Sequence, residues 1–163
     1  MKASVFYHSV SGKTKDAAEI IVAGMNAVEG VEAKAFSITD FDKDWASASQ
    51  CVVVGTPIYM ATLSGELKVW LEKVLPSFGL AGKLGGAFAT EAYIHGGGEA
   101  GIRTILDHMM CYGMMTYSAG GAKGNPVIHL GPVSVNQYAA DCAPTFEIYG
   151  KRMAEQALHI YGA

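Results

Sequence analysis

Ser9, Ser11 and Thr14 gather three hydroxyls around Gly12, with Val10 and Lys13 between them, where an apolar N-terminal run gives way to an amphipathic segment. Hydroxyls and unpaired backbone N–H groups at a helix start converge on one point, and the helix dipole favours an anion there. The chemistry that suits this spacing is the grip of a single phosphate monoester. Gly12-Lys13-Thr14 does not make a nucleoside-triphosphate loop, which needs a glycine five residues earlier so that the backbone can wrap several phosphates. Tyr7 occupies that place. The competing local reading is that Ser9 and Ser11 only cap the helix. A phosphoacceptor site would need an acidic pair after the first strand and an aspartate ending the third, where His8-Ser9 and Gly55-Thr56 stand. No cysteine has the arginine that a Cys-x5-Arg phosphatase requires. Cys51, Cys111 and Cys142 are too widely spaced for a metal or a disulfide framework, and Cys51, inside "CVVVG", reads as a small buried hydrophobe.

The elements that must position this loop follow from period. Apolar or β-branched runs at 2–8, 31–37, 50–56, 83–90 and 114–119 read as strands, and "QCVVVGT" is apolar on both faces, as a central parallel strand requires. Between them lie helical stripes: Ala17, Ile20, Ile21, Gly24, Met25 and Val28; then Leu67, Trp70, Leu71 and Val74, stopped by Pro76; then Ile102, Ile105, Leu106, Met109 and Met110. Pro144 is expected to start a last helix carrying Phe146, Tyr149, Met153, Ala157, Leu158 and Tyr161. Alternating strands and helices predict an α/β, doubly wound, five-stranded parallel sheet in three αβα layers, with residues 1–163 as one domain. Such a sheet binds ligands beyond the carboxyl ends of its strands, so the loops at 8–14, 56–64, 90–98 and 119–137 are the expected working surface. At 163 residues, 50% hydrophobic and with a net charge of −3, the chain can build a core and lacks a nucleic-acid footprint. No apolar run reaches the length of a membrane span or a signal-peptide core, so no membrane partner is expected and the location expected is cytoplasmic.

Three segments together resemble a known family. Ser9-x-Ser11-Gly12-x-Thr14 is similar to the flavodoxin T-x-T-G-x-T loop, which holds the 5′-phosphate of FMN with hydroxyls and amides. "GTPIYMATLSGELKVWLEK" (55–73) and "TEAYIHGGGEAGI" (90–102) resemble the flavin loops of NAD(P)H-dependent FMN reductases and of tryptophan-repressor-binding-protein-type quinone oxidoreductases. The resemblance covers nearly the whole chain. It implies that Ser9, Val10, Ser11, Gly12, Lys13 and Thr14 hold the FMN phosphate, and that Pro57, Ile58, Tyr59, Met60, Glu91, Ala92, Tyr93 and Gly96 surround the ring. Tyr59 and Tyr93 are the aromatic walls, and the Gly96–Gly98 run permits close backbone approach. His95, if protonated near the flavin N1 edge, would stabilise an anionic reduced flavin; Glu99 falls in a first helical turn and reads as a capping residue. Two positions depart from the family: Glu91 replaces a small hydroxyl residue, and Tyr112 stands where related quinone reductases often carry a histidine.

The resemblance implies NADH or NADPH as co-substrate and a quinone, flavin or other small molecule as electron acceptor. The alternative is a flavodoxin-type electron carrier serving a redox partner protein. One-electron carriers commonly flip a peptide beside a glycine next to the ring, which needs positive φ, and no glycine lies between Thr56 and Ser64. That absence, with the weak net charge, favours two-electron chemistry. The insertion that quinone reductases carry is missing from the short 37–49 connection. Homo-oligomer formation thus stays open, while tetramers and quinone specificity do not carry over.

Overall fold

The computed structural model describes residues 1–162. In chain order the elements are β1 (Lys2–Tyr7), α1 (Lys13–Asn26), β2 (Glu32–Ser37), α2 (Lys43–Ala48), β3 (Cys51–Tyr59), β4 (Thr62–Leu63), α3 (Gly65–Lys73), β5 (Leu84–Glu91), α4 (Gly98–Cys111), β6 (Met115–Thr116), β7 (Val133–Val135) and α5 (Ala139–Tyr161). The main sheet runs β2-β1-β3-β5-β6 with parallel pairing throughout, and β7 also pairs parallel with β5. This is the doubly wound parallel sheet that the strand–helix alternation predicts, in the flavodoxin-like strand order that the family resemblance implies.

Period 2 divides β3 between two cores. Cys51 and Val53 face the α1–α5 layer with Ile21, Met25, Phe146 and Tyr149, while Val52 and Val54 face the other layer with Leu67, Trp70, Ile102 and Ile105. Burying each valine fully contributes roughly 1.5–3 kcal/mol, so the all-apolar run holds both layers at once. α1 and α5 cross through glycines: a Cβ on Gly24 would lie 2.0 Å from the Glu147 carbonyl oxygen, and one on Gly150 would lie 2.1 Å from that of Ile21. The Cys51 thiol is pushed up to about 12 by burial, as suits an inert core residue. Among the described residues, no helix is long and apolar enough to cross a membrane.

Two expectations need correction. The fifth strand does not run over 114–119. Met115–Thr116 pairs with Leu84–Gly85, the chain leaves the sheet, and Val133–Val135 returns to pair with Ala89–Glu91. Ala119 at φ 69° and Gly120 at φ 51° turn the backbone out of the strand. The gap leaves the middle of β5 short of partners, and the Ala87 N–H donates instead to the Tyr149 hydroxyl at 3.1 Å. Pro144, for its part, does not start the last helix but lies inside it, its sixth residue. It removes only the bond to the Ala140 carbonyl, and both residues are exposed, so water can serve that carbonyl.

Candidate functional site

The three motif loops meet at the carboxyl ends of β1, β3 and β5. After Tyr7 the chain turns through 8–12 into α1, whose N-cap is Gly12 at φ 91° with no side-chain cap. Neither Ser9 nor Ser11 caps this helix, so the bland reading of those hydroxyls fails. The first amides of α1 are the orphan donors that every helix leaves in its first turn. Among the described residues Ser9 Oγ, itself buried, has no hydrogen-bond partner, a state that natively folded chains rarely tolerate unless something else completes the site. Thr14 is buried, and its Oγ1 shares a 2.8 Å hydrogen bond with Thr90 Oγ1. That bond ties the 8–14 loop to the end of β5.

β3 runs three residues beyond its expected end and forms a hairpin with β4, pairing Ile58 with Leu63 and Tyr59 with Thr62. The two residues of its turn, Met60 and Ala61, have φ of 49° and 63°. The loop thus holds positive φ without the glycine whose absence counts in the sequence against a flipped peptide here. The hairpin's right-handed twist selects a turn with both central residues left-handed, and the chain adopts it at a cost on the order of 1–2 kcal/mol per residue. Ser64 then caps α3, accepting from Leu67 N–H at 3.4 Å, and its Oγ shares a 2.8 Å hydrogen bond with His8 Nδ1. The His8 ring stands edge-on to Tyr59, with centroids 6.5 Å apart.

Glu91 ends β5 and is buried, 5% exposed, with Oε2 accepting from the Gly98 N–H at 2.8 Å. It is thus Glu91, rather than Glu99, whose carboxylate serves the N-terminus of α4; Glu99 sits exposed in the first turn. Burial raises the Glu91 carboxyl above the usual carboxylate range, the Gly98 N–H opposes this, Glu99 adds to it and His95 opposes it. Tyr112 lies at the far end of α4, donating from its hydroxyl to the Leu71 carbonyl. It holds helices together at the opposite end of the sheet and takes no part in this mouth.

A cleft of about 100 Å³ lies between the loops. Val10, Ser11, Lys13 and Thr14 line it from the first loop, Pro57, Ile58 and Tyr59 from the second, Glu91 and Ala92 from the third. Tyr59 lines the cleft and is 44% exposed, and Met60 and Tyr93, in the same two loops, stand exposed at 98% and 77%. His95 is exposed, while Gly12 and Gly96 are half-buried in the backbone of their loops. Sequence reasoning did not single out Thr90 and Asn136, which line the cleft. Thr90 was visible as the last residue of a strand run. Asn136 enters the cleft only because β7 brings the chain back beside β5. A larger cavity, 360 Å³, lies between the 127–133 segment, Glu99 and Thr145, away from the phosphate loop.

A family model described as NADPH-dependent FMN reductase matches residues 38–124. A flavodoxin from Clostridium saccharobutylicum is 37% identical over 161 residues, covering 99% of this chain and 100% of the relative. The chain belongs to the flavodoxin-like FMN family. An NAD(P)H dehydrogenase (quinone) from Geobacter metallireducens is 27% identical, covering 71% of this chain and 70% of the relative. The flavodoxin, WrbA-like protein from Agrobacterium tumefaciens shares the fold, with a TM-score of 0.79 at 22% identity over 98% of each chain. The family-model match begins after the phosphate loop, whereas the clostridial relative spans it. The flavodoxin-like assignment thus covers all three loops.

Proposed function

We propose that this chain binds FMN in the cleft between the three loops and acts as an NAD(P)H-dependent oxidoreductase for a quinone, a flavin or a similar small acceptor. The observation that carries the cofactor is Ser9 Oγ, buried and unpartnered beside uncapped α1. A phosphate monoester supplies the missing partner and takes the α1 amides and dipole as well. When bound, FMN supplies the capacity to accept hydride and to pass on electrons. The chain's own residues bind and orient: Ser9, Val10, Ser11, Gly12, Lys13 and Thr14 grip the phosphate, and Pro57, Ile58 and Tyr59 face Glu91, Ala92, Tyr93 and Gly96 across the ring site. Met60 covers the rim. His95 is the residue we assign to charge stabilisation beside the ring. The exposed rim leaves a nicotinamide or acceptor room to approach. The reading takes residues 1–163 as one domain, supported by both helix layers packing on one sheet. It also takes the protein as cytoplasmic, in keeping with Cys51, Cys111 and Cys142 being unpaired.

A second reading has specific support. The Met60–Ala61 turn already holds left-handed backbone without glycine, which removes the main sequence argument against a one-electron carrier. The full-length clostridial relative also bears the name flavodoxin. One experiment separates the two. Protein mixed with excess FMN and freed of unbound flavin should stay yellow with one FMN per chain, and NADH or NADPH should bleach it anaerobically. Retained FMN that answers to dithionite but to neither nucleotide establishes the carrier instead. Failure to retain FMN sinks both.

A further inference from the structure

Glu91 is more than a lining residue. Its carboxylate is wrapped by the 96–98 backbone: a Cβ on Gly98 would stand 3.0 Å from Oε2, and one on Gly96 would stand 2.8 Å from it. The N-cap of α4, Gly97, has no side chain with which to cap, so the 2.8 Å bond from the Gly98 N–H to Glu91 is the side-chain anchor at that helix start. Gly97 itself, at φ 101°, lies against the neighbouring hairpin. A Cβ there would fall 2.3 Å from the Ala61 carbonyl oxygen and 2.7 Å from Ala61 Cα. The backbone of α4's start is thus seated directly on the Met60–Ala61 turn. A turn with two non-glycine residues in left-handed conformation persists only where its surroundings hold it.

We propose that Glu91 is the positioning residue of the FMN site, fixing Gly97 and Gly98 so that Gly97 buttresses the Met60–Ala61 turn at the rim of the cleft. The inference rests on the FMN reading above, and it adds a residue that acts on one flavin loop through another. The link has three contacts, carboxylate to Gly98 amide, Gly98 to Gly97 through the chain, and Gly97 to Ala61 through backbone packing. Loss of the first should loosen the third.

The test compares Glu91→Gln, Glu91→Asp and Glu91→Ala with the unaltered chain. Gln keeps an acceptor of the same reach and removes the charge; Asp keeps the charge and is one methylene too short for Gly98. Hydrogen exchange of the FMN-free protein reads the Gly98 amide and the 59–62 hairpin, fluorescence titration reads FMN affinity, and spectroelectrochemistry reads the potentials of the bound cofactor. Gln should keep Gly98 protected and leave exchange across the 59–62 hairpin unchanged. Asp and Ala should deprotect Gly98, speed exchange across the hairpin and weaken FMN by about ten- to a hundred-fold, the equivalent of one charge-assisted hydrogen bond. A shifted potential in Asp, whose charge is intact, reports the turn itself. Exchange, affinity and potential unchanged beyond Gly98 in Asp and Ala would overturn the proposal and leave Glu91 a helix cap only. If Ala fails to fold, Asp decides alone. An unaltered chain that binds no FMN defeats the underlying reading, an outcome visible before any variant is made.

Discussion

Ser9 and Glu91 carry the sharpest consequences at the scale of single residues. Ser9 Oγ has no partner among the described residues, so Ser9→Ala should leave FMN-free stability unchanged or raise it by up to about 1 kcal/mol, while weakening FMN about tenfold. Urea melts and fluorescence titration, run side by side, check the crossing signs; an equal loss in both would make Ser9 structural. Glu91 ties stability to pH. Its carboxyl is raised in the fold, chiefly by burial, so over the window from the usual carboxylate value upward the native state holds more protons than the unfolded one. Stability of the FMN-free protein should therefore fall as pH rises through that window. In Glu91→Gln that contribution should vanish, which denaturant melts across pH will show. The type of residue at both positions was plain from the sequence, and Ser9 was already assigned to phosphate. The direction in which Glu91 turns was not legible, because the amide it serves belongs to the next helix.

At the scale of elements, the β3–β4 hairpin shows local preference yielding to context. Nothing in "PIYMATL" asks for a left-handed turn, yet the pairing of Tyr59 with Thr62 leaves two residues to reverse the chain. Met60 is almost wholly exposed and has no packing to lose. Replacing Met60-Ala61 by Asn-Gly, the pair best suited to such a turn, should stabilise the FMN-free protein by about 1 kcal/mol. Denaturant unfolding measures it, and a loss of stability would mean that the turn carries no strain. The same contrast explains Pro144. A proline reads as a helix start in isolation, but the 3₁₀ turn at Asn136–Tyr138 leads into helix earlier, in a stretch exposed enough to spare one hydrogen bond.

Over the whole molecule, the excursion between β6 and β7 brings the last part of the site into place. Arg152 of α5 is buried, and its guanidinium donates to the carbonyls of Pro126 at 2.7 Å, Lys123 at 3.2 Å and Asn125 at 3.3 Å. Arg152→Met should cost about 2 kcal/mol, the scale of a lost charged hydrogen-bond set, and should open 117–132 to proteolysis. Melts and limited digestion test this, and an undigested loop would show that its own buried Ile128 is the stronger anchor. By itself the sequence determined the layered sheet, the order of its helices and the three loops at its carboxyl edge, because period 2 in "QCVVVGT", period 3.6 in the stripes and hydroxyls around Gly12 are local signals. Only the tertiary structure decided the split outer strand, the left-handed hairpin turn, the place of Asn136 in the cleft and the reach of Glu91 to α4. The split strand and Asn136 depend on segments that meet from far apart in sequence, whereas the hairpin turn and the Glu91–Gly98 bond join residues close along the chain whose orientation is set by what packs on them, as Gly97 does on Ala61.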